Sequence, residues 1–308
     1  MKRKTVTNRC NLGVQCARTA LAVRARALCQ LSEAVRAEEV EGIHQMRVAS
    51  RRLRAALSEF APVTGACAAP FLGQVREVTR GLGRARELDV MMGMLLEQRP
   101  GAAAPLLPAL AFALRQLRRL RQAESGACRR VAALVASDDI QQSQRLLLDG
   151  LTPAPGCHVD YVRRRLLNRE KGLRRAFRRW QETGHEPQLH EVRIAFKKIR
   201  YACEVHADLY GTDMADYLAR LKGVQQLLGD WNDCRVLRDQ VAALAGLAPG
   251  AARREMPRLA RQWDKRAAKH LAKFQRKAPA FFDKKHARRA RALFDAPAVS
   301  CEHEWEHD

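Results

Sequence analysis

The residues of this sequence best suited to chemistry are cations spaced three or four positions apart. On a helix that turns about 100° per residue, such cations fall on one edge, beside a face of apolar side chains. Like charges at this spacing repel each other, so the edge would gain from an anion laid along it. Arginine suits that role because its planar guanidinium binds phosphate oxygens with two hydrogen bonds. The first such edge consists of His44, Arg47, Arg51 and Arg54.

A second edge of the same kind lies in the other half of the chain. The stretch HQMRVASRRLR, which begins at His44, aligns with HEVRIAFKKIR, which begins at His190. The offset is 190 minus 44, or 146 residues, and Leu82-Gly83 aligns with Leu228-Gly229 at the same offset. Two motifs at one offset indicate an internal duplication. The second edge consists of His190, Arg193, Lys197 and Arg200, and Lys198 takes the place that Arg52 has in the first stretch.

Each edge also has a simpler interpretation. Neither contains an acid, but a solvated charged face whose acids lie on neighbouring helices would look the same in sequence. His44 and His190 could bond backbone or core groups at the start of a helix. Alternatively, each could donate to a phosphate, more strongly below its usual pKa of about 6.5.

The elements that must position these edges are helices. Ala, Leu and Arg dominate, aromatic residues are only 6%, and no convincing strand pattern occurs. The segment 151–156, LTPAPG, reads as a linker between halves 5–150 and 151–295 of one duplicated all-α domain. An acidic and disordered tail is predicted for 296–308. Helices are predicted at 5–39, 43–61, from 70 with a break near 81–83, after 105, and at 158–183, 188–210, 213–228, 232–247 and 250–294, the last interrupted near Pro279.

The charge of the chain points to an anionic partner. Its 308 residues include 56 Lys and Arg against 33 Asp and Glu, a formal net charge of +23. The 47% of hydrophobic residues exclude a disordered basic tail. The candidate partners are nucleic acid, an anionic membrane surface or a phosphate polymer, and the alternative is a charge that only keeps the protein in solution. No apolar run is long enough to insert into a membrane, and a secretory signal is not expected. Nine scattered cysteines without a CxxC pair favour the cytoplasm.

Catalytic motifs are weak in this sequence. It contains no phosphate-binding GxxxxGK[ST] loop and no GxSxG motif. The HEWEH stretch at 303–307 matches the zinc-protease pattern HExxH, but it stands at the end of the acidic tail, where a third ligand and a cleft are not expected. Together with Cys301 it could instead bind a metal ion adventitiously. We therefore expect no enzyme activity, no cofactor and no resident metal ion. The tail could also fold back onto a basic surface and compete with the anion.

Four stretches resemble the signature motifs of the CHAD family, the conserved histidine α-helical domain. They are HQMRVASRRLRAALSEF from position 44, LGRARELDV from 82, HEVRIAFKKIRYACEV from 190 and LKGVQQLLGDWNDCRVL from 221. The resemblance covers residues 5–295. It implies two bundles of about four helices each, related by a pseudo-twofold axis, with basic faces lining a central groove. It also implies binding of inorganic polyphosphate and association with polyphosphate granules.

The resemblance implies which residues form the polyphosphate site. Three acids, Glu87, Asp89 and Asp233, would orient arginine side chains or form ordinary interhelical ion pairs; Glu87 stands where the family pattern suggests Asp. The Glu-x-Glu-x-Lys motif of the CYTH-type triphosphatases that often precede CHAD domains is absent from this chain, so a stand-alone CHAD protein without hydrolase activity is expected. The implied binding residues are His44, Arg47, Arg51, Arg52, Arg54, Arg86, His190, Arg193, Lys197, Lys198, Arg200, Lys222 and Gln225.

Three functions therefore compete on sequence alone. The first is binding of inorganic polyphosphate. The second is non-specific binding of nucleic acid, for which the basic segment 253–291 is the strongest candidate. The third is hydrolysis of polyphosphate or a nucleoside triphosphate. The oligomeric state is open at this point.

Overall fold

The computed structural model describes residues 11–298 and is all-α, as predicted, with no β-strand over that range. The helices of the first half are α1 Leu12–Cys29, α2 Ser32–Arg36, α3 Val40–Glu59, α4 Ala61–Thr64, α5 Ala68–Gly81, α6 Gly83–Gln98, α7 Leu107–Ala123, α8 Ser125–Ala136 and α9 Asp138–Asp149. Those of the second half are α10 His158–Thr183, α11 Glu186–Val205, α12 Thr212–Leu244, α13 Gly250–Phe282 and α14 Lys284–Asp295.

The helix ends repeat at the offset seen in the sequence. Both ends of α11 lie 146 residues after those of α3, and both ends of α14 lie 146 residues after those of α9. The single helix α12 occupies the positions of α5 and α6 together, and α13 those of α7 and α8. The duplication therefore extends to the secondary structure, whereas the pseudo-twofold axis stays a prediction.

Several predicted helix boundaries were wrong. The pattern at 5–39 is interrupted at 30–31, between α1 and α2. No break separates 213–228 from 232–247, because buried Leu228 and Trp231 keep α12 packed along one continuous face. The break near Pro279 lies instead at Asp283, whose extended backbone starts α14 and whose carboxylate accepts from the backbone N of His286 at 2.6 Å.

The hydrophobic interior does not follow the halves 5–150 and 151–295. One cluster joins α1, α3, α5, α8 and α9 through residues such as Leu21, Leu53 and Phe71. The larger cluster holds the second half together with α6 and α7, whose Leu95 and Leu117 pack beside α12 and α13. The two halves of the sequence therefore share one of their cores.

Buried ion pairs add to this connection between elements. Arg121 on α7 donates to Asp89 on α6 at 3.0 Å and to Glu38 at 3.1 Å. Glu59, at the end of α3, accepts from Arg165 of α10 at 3.0 Å and also pairs with Arg169. These contacts fix the relative positions of α3, α6, α7 and α10.

The folded protein should lose stability in acid because it contains two buried histidines. His158 and His206 lie within ring-contact distance of each other and of Phe60. Burial lowers the pKa of His158 to about 4 and that of His206 to about 3. The unfolded chain binds these protons near pH 6.5, so between about pH 6.5 and 4 it holds more protons than the folded chain. Stability should therefore fall as the pH drops through that window, by up to roughly 3 kcal/mol for His158 alone.

Urea unfolding at pH 7 and pH 5 measures this effect. The midpoint should be lower at pH 5, and exchange of both histidines for glutamine should reduce the difference. Equal midpoints of the unmodified protein at the two pH values would contradict the role of these histidines.

Candidate functional site

Parts of the two basic edges line one cavity of about 450 Å³ between α3, α6, α11 and α12. The first half contributes four basic side chains to the lining and the second half two. Acidic Glu87 and Asp233, together with Asn232, complete its polar lining. The basic lining residues are His44, Arg47, Arg51, Arg86, His190 and Arg193.

Packing of α3 and α11 directs these side chains to the cavity. On α3, Ile43, Met46 and Leu53 are fully buried in the first core, which leaves the edge of His44, Arg47 and Arg51 at the cavity. On α11, Val192, Phe196 and Ile199 take the corresponding role. The apolar face of each helix thus fixes the direction of its basic edge.

Arg47 is held in place before any ligand arrives. Its Nη1 donates to the carbonyl oxygen of Thr79 at 3.0 Å, close to the point where α5 gives way to α6. Gly83 makes room for this contact, since a Cβ there would lie 3.2 Å from the same nitrogen. A guanidinium fixed in this way loses little further conformational freedom on binding an anion.

The cavity cations affect one another across the two halves. The pKa of Arg47 is lowered to about 10 by burial and then by Arg51 and Arg86. Burial also lowers the pKa of Arg193, with Arg51 of the other half acting in the same direction and Asp233 acting against both. Unbalanced positive charge of this kind would be relieved by an anion between α3 and α11.

Lys197 does not line the cavity, but among the basic groups that act on the lining residues its pKa is the most strongly shifted. Burial lowers its pKa to about 7, and Arg193 and Arg51 add to the effect. Its ammonium is therefore close to half-ionised at neutral pH. Burial and neighbouring cations, Arg86 and Arg193 respectively, lower the pKa of His44 and His190 as well, so both rings are neutral at pH 7.

The remaining predicted basic residues lie outside this cavity. Arg52 and Arg200 both pair with Glu204, at 3.3 Å and 3.1 Å. Lys222 lines a neighbouring depression that contains Arg52 and Glu204, and Lys198 lines a separate cavity between α10 and α11.

Arg54 and Gln225 also lie apart from the cavity lining. Arg54 is exposed, and its pKa is lowered by burial and then by Arg76, Arg51 and Arg80, which places it in a cluster of cations beyond the cavity. Gln225 is half-buried on α12, and its Oε1 has no hydrogen-bond partner among the described residues.

The three predicted orienting acids behave differently. Asp233 lines the cavity and acts on the pKa values of Arg193 and Lys197. Glu87 also lines the cavity, but it pairs with Arg84 at 3.2 Å rather than with an arginine of the basic edge. Asp89 faces the interior and holds Arg121, so it forms a buried interhelical ion pair and lies outside the cavity lining.

Some residues near the site were not predicted from the sequence. Asn232 lines the cavity, and Arg76 and Arg80 extend its positive charge past Arg54. Arg76 stands 146 residues before Lys222, so a full alignment of the halves could have indicated it. Asn232 carries no charge, and no sequence pattern distinguished it.

Residues 11–298 contain neither a metal-binding cluster nor a single helix able to cross a membrane. No group of three or more His, Cys, Asp or Glu there could hold a metal ion. Within the same range no single helix is long and apolar enough to cross a membrane; one pair, Val40–Glu59 with Ala61–Gly101, passes on length and composition but is bent by 73°.

The predicted acidic tail lies largely beyond the described part of the chain. Ala298 donates its backbone N–H to the carbonyl of Leu209 at 2.8 Å. The HEWEH stretch at 303–307 and Cys301 lie outside the described residues.

Comparison with known proteins gives a family match and a distant relative. The family model described as the CHAD domain matches residues 19–242. The uncharacterized protein MT2285 of Mycobacterium tuberculosis is 27% identical over 219 residues, which is 68% of this chain and 41% of that protein. The chain thus matches less than half the length of this relative.

Two solved structures share the fold. The CHAD domain from the plant Ricinus communis superposes with a TM-score of 0.60 at 24% identity, covering 92% of this chain and 93% of the other. PptA from Streptomyces chartreusis superposes with a TM-score of 0.59 at 16% identity, covering 86% and 98%. At these identities the likeness concerns the architecture.

Proposed function

The chain belongs to the CHAD family, and on that premise we propose that it binds inorganic polyphosphate in the cavity between α3 and α11. One observation carries the proposal. Arg47 and Arg51 of the first half and Arg193 of the second line a single cavity, although more than 140 residues separate the two sets. A linear anion in this cavity would neutralise both basic edges at once.

The chemistry of the cavity lining favours a polymer without bases. Its side chains are basic, carboxylate, amide or apolar, and no Phe, Tyr or Trp is among the residues that line the cavity. Proteins that bind single-stranded nucleic acid stack bases on aromatic side chains, which add about 1–3 kcal/mol per base. A chain of phosphates needs only the cations, and the guanidinium groups supply them.

We further propose that the protein binds polyphosphate without hydrolysing it, and that it collects on polyphosphate granules in the cytoplasm. The cavity lining contains no hydroxyl or thiol side chain that could serve as a nucleophile. Phosphate release in the presence of Mg²⁺ or Mn²⁺ tests the first point, and a fluorescent fusion tests the second.

Nucleic acid is the second candidate ligand. It would bind the outer face of α13, where Arg253, Arg254, Arg261, Lys265 and Lys269 are exposed.

A competition experiment distinguishes polyphosphate from nucleic acid as the preferred ligand. Labelled polyphosphate is displaced by unlabelled polyphosphate, RNA or DNA at near-physiological salt. We expect polyphosphate to compete best at equal phosphate concentration; stronger displacement by RNA or DNA would support the second candidate.

The lowered pKa of Lys197 predicts that the affinity for polyphosphate changes with pH near neutrality. Its ammonium is charged below its pKa of about 7 and neutral above, so affinity for polyphosphate should rise as the pH falls from 8 to 6. Bound phosphate would in turn favour the charged form. Affinity titrations at pH 6, 7 and 8 measure the slope.

The matched variant for this measurement is Lys197→Arg. Arginine stays charged throughout this range, so the variant should bind with nearly constant affinity between pH 7 and 8. His44 and His190 have lowered pKa values and contribute on the acid side of that interval. An unchanged pH slope in the variant would rule out Lys197 as the titrating group.

A further inference from the structure

A second cationic cavity, of about 520 Å³, lies where α12, α13 and α14 meet. It shares no lining residue with the central cavity. Arg220 on α12 lies twelve residues before Asn232 of the central cavity, about 18 Å along the helix. The second cavity is lined by five cations, Arg220, Arg276, Lys277, Lys285 and Arg289.

These cations have no anionic partner in the described part of the chain. None of the five has a carboxylate oxygen within 4.0 Å among residues 11–298, whereas many other arginines of this protein form ion pairs. The one acid that lines the cavity, Asp283, caps α14 by accepting from the backbone N of His286. The charge around the cavity is therefore unbalanced.

The equivalent helix of the first half, α9, shows which residues suit the start of such a helix when only its stability matters. The equivalent helix α9 is capped in the same way, by Ser137, and carries Asp138 and Asp139 in its first turn. Acids there suit the positive N-terminal end of a helix dipole. In α14 the same two positions are Lys284 and Lys285, which the dipole disfavours. The lysines thus serve something other than the stability of the helix.

A buried polar side chain also distinguishes this cavity from the equivalent position of the first half. His286 lines the cavity, is only 6% exposed, and its Nε2 has no hydrogen-bond partner among the described residues. Burial, followed by Arg220 and Arg174, lowers its pKa to about 4, so the ring is neutral at pH 7. The equivalent residue of α9 is apolar Ile140, so the fold itself does not need a polar group there.

We propose that this cavity is a second anion site, which binds a di- or triphosphate group between α12, α13 and the start of α14. The five cations hold the phosphates, and the positive end of the α14 dipole adds to the attraction. Beside them, Val224 and Ala280 form a wall that an organic group could cover. The same chemistry could come from inorganic tripolyphosphate or from a nucleoside triphosphate. The site does not depend on binding in the central cavity.

The test exchanges residues of α14 for those of α9. The variant K284D/K285D/R289S places the aspartates and serine of α9 at the equivalent positions, so the helix should keep its stability. The control K265E/K269E/K273S removes the same amount of charge from exposed positions of α13 that do not line the cavity. Both are made in the full chain with R47Q/R51Q/R193Q, which disables the central cavity. Calorimetric titration with tripolyphosphate and with ATP measures the remaining binding.

We expect one remaining site in the control and at least a ten-fold loss of affinity in the α14 exchange. Tighter binding of ATP would assign an organic phosphate ester as occupant, and tighter binding of tripolyphosphate the inorganic anion. Equal affinities in the exchange and the control, or no remaining binding in either, would overturn the proposal. Failure of polyphosphate binding in the central cavity would appear separately, as an R47Q/R51Q/R193Q variant no weaker than the original protein.

Discussion

Exchange of Arg47, Arg51 and Arg193 together for glutamine should lower the affinity for long-chain polyphosphate by about a thousand-fold. A hydrogen bond to a charged group contributes about 1.5–3 kcal/mol, and each 1.4 kcal/mol is a factor of ten. Three such contacts would account for the loss. Helix content should be unchanged, because the substitutions remove mutual repulsion at the cavity and leave the apolar faces of α3 and α11 intact.

A matched variant separates the cavity from the overall charge of the protein. R253Q/R254Q/R261Q removes the same number of charges from exposed positions on α13, outside both cavities. Its affinity for polyphosphate should fall only slightly, because distant exposed charges are screened at physiological salt. If it loses as much affinity as the cavity variant, the polymer binds along 253–291 and the site assignment is wrong.

Removal of Arg121 should be among the most destabilising single changes in the chain. The Arg121 side chain is 10% exposed and that of its partner Asp89 only 1%. Breaking a buried pair by removing one partner costs about 3–5 kcal/mol, because the other charge is left buried alone. Burial already raises the pKa of Asp89 while Arg121 acts against it. Arg121→Met should therefore lower the free energy of unfolding by about 3 kcal/mol or more, as measured in urea.

The double variant D89N/R121M provides the control for this prediction. It removes both charges, so it should recover part of the stability that Arg121→Met alone loses. Asp89→Asn in the otherwise unmodified, folded protein should leave polyphosphate affinity unchanged, since Asp89 holds Arg121 and does not line the cavity. A ten-fold loss of affinity in that variant would restore Asp89 as an orienting residue of the site.

The basic edges could be predicted because they depend on local geometry. His44, Arg47 and Arg51 share an edge wherever α3 is placed, and the repeat at 190 predicts the same for α11. The same helix geometry places Arg52 and Lys198 about 80° from His44 and His190, off the edges, although the family resemblance implies both as binding residues.

The contacts between distant segments of the chain could not be predicted from the sequence. Glu204 pairs with Arg52, 152 residues away, so this predicted binding residue has a carboxylate partner outside the cavity. The packing of Leu95 and Leu117 with the second half likewise depends on how α6 and α7 meet α12 and α13. Neither contact leaves a periodic signal, because each joins distant segments through single side chains.

The predicted helix boundaries were wrong where tertiary packing outweighed the local tendency of a residue to end a helix. Gly229 aligns with Gly83, yet α12 continues where α5 and α6 are separate. In the first half, Leu82 leaves the helical conformation and Gly83 accommodates Arg47. In the second half, nothing lies closer than 4.0 Å to the Cβ that Gly229 lacks, so the helix passes straight through.

A crystal structure of the protein with a short inorganic polyphosphate tests the central claim most directly. The account predicts a row of phosphates between α3 and α11, with oxygens about 3 Å from guanidinium nitrogens of Arg47, Arg51 and Arg193. Phosphates found only on the outer face of α13, with the central cavity empty, would contradict it.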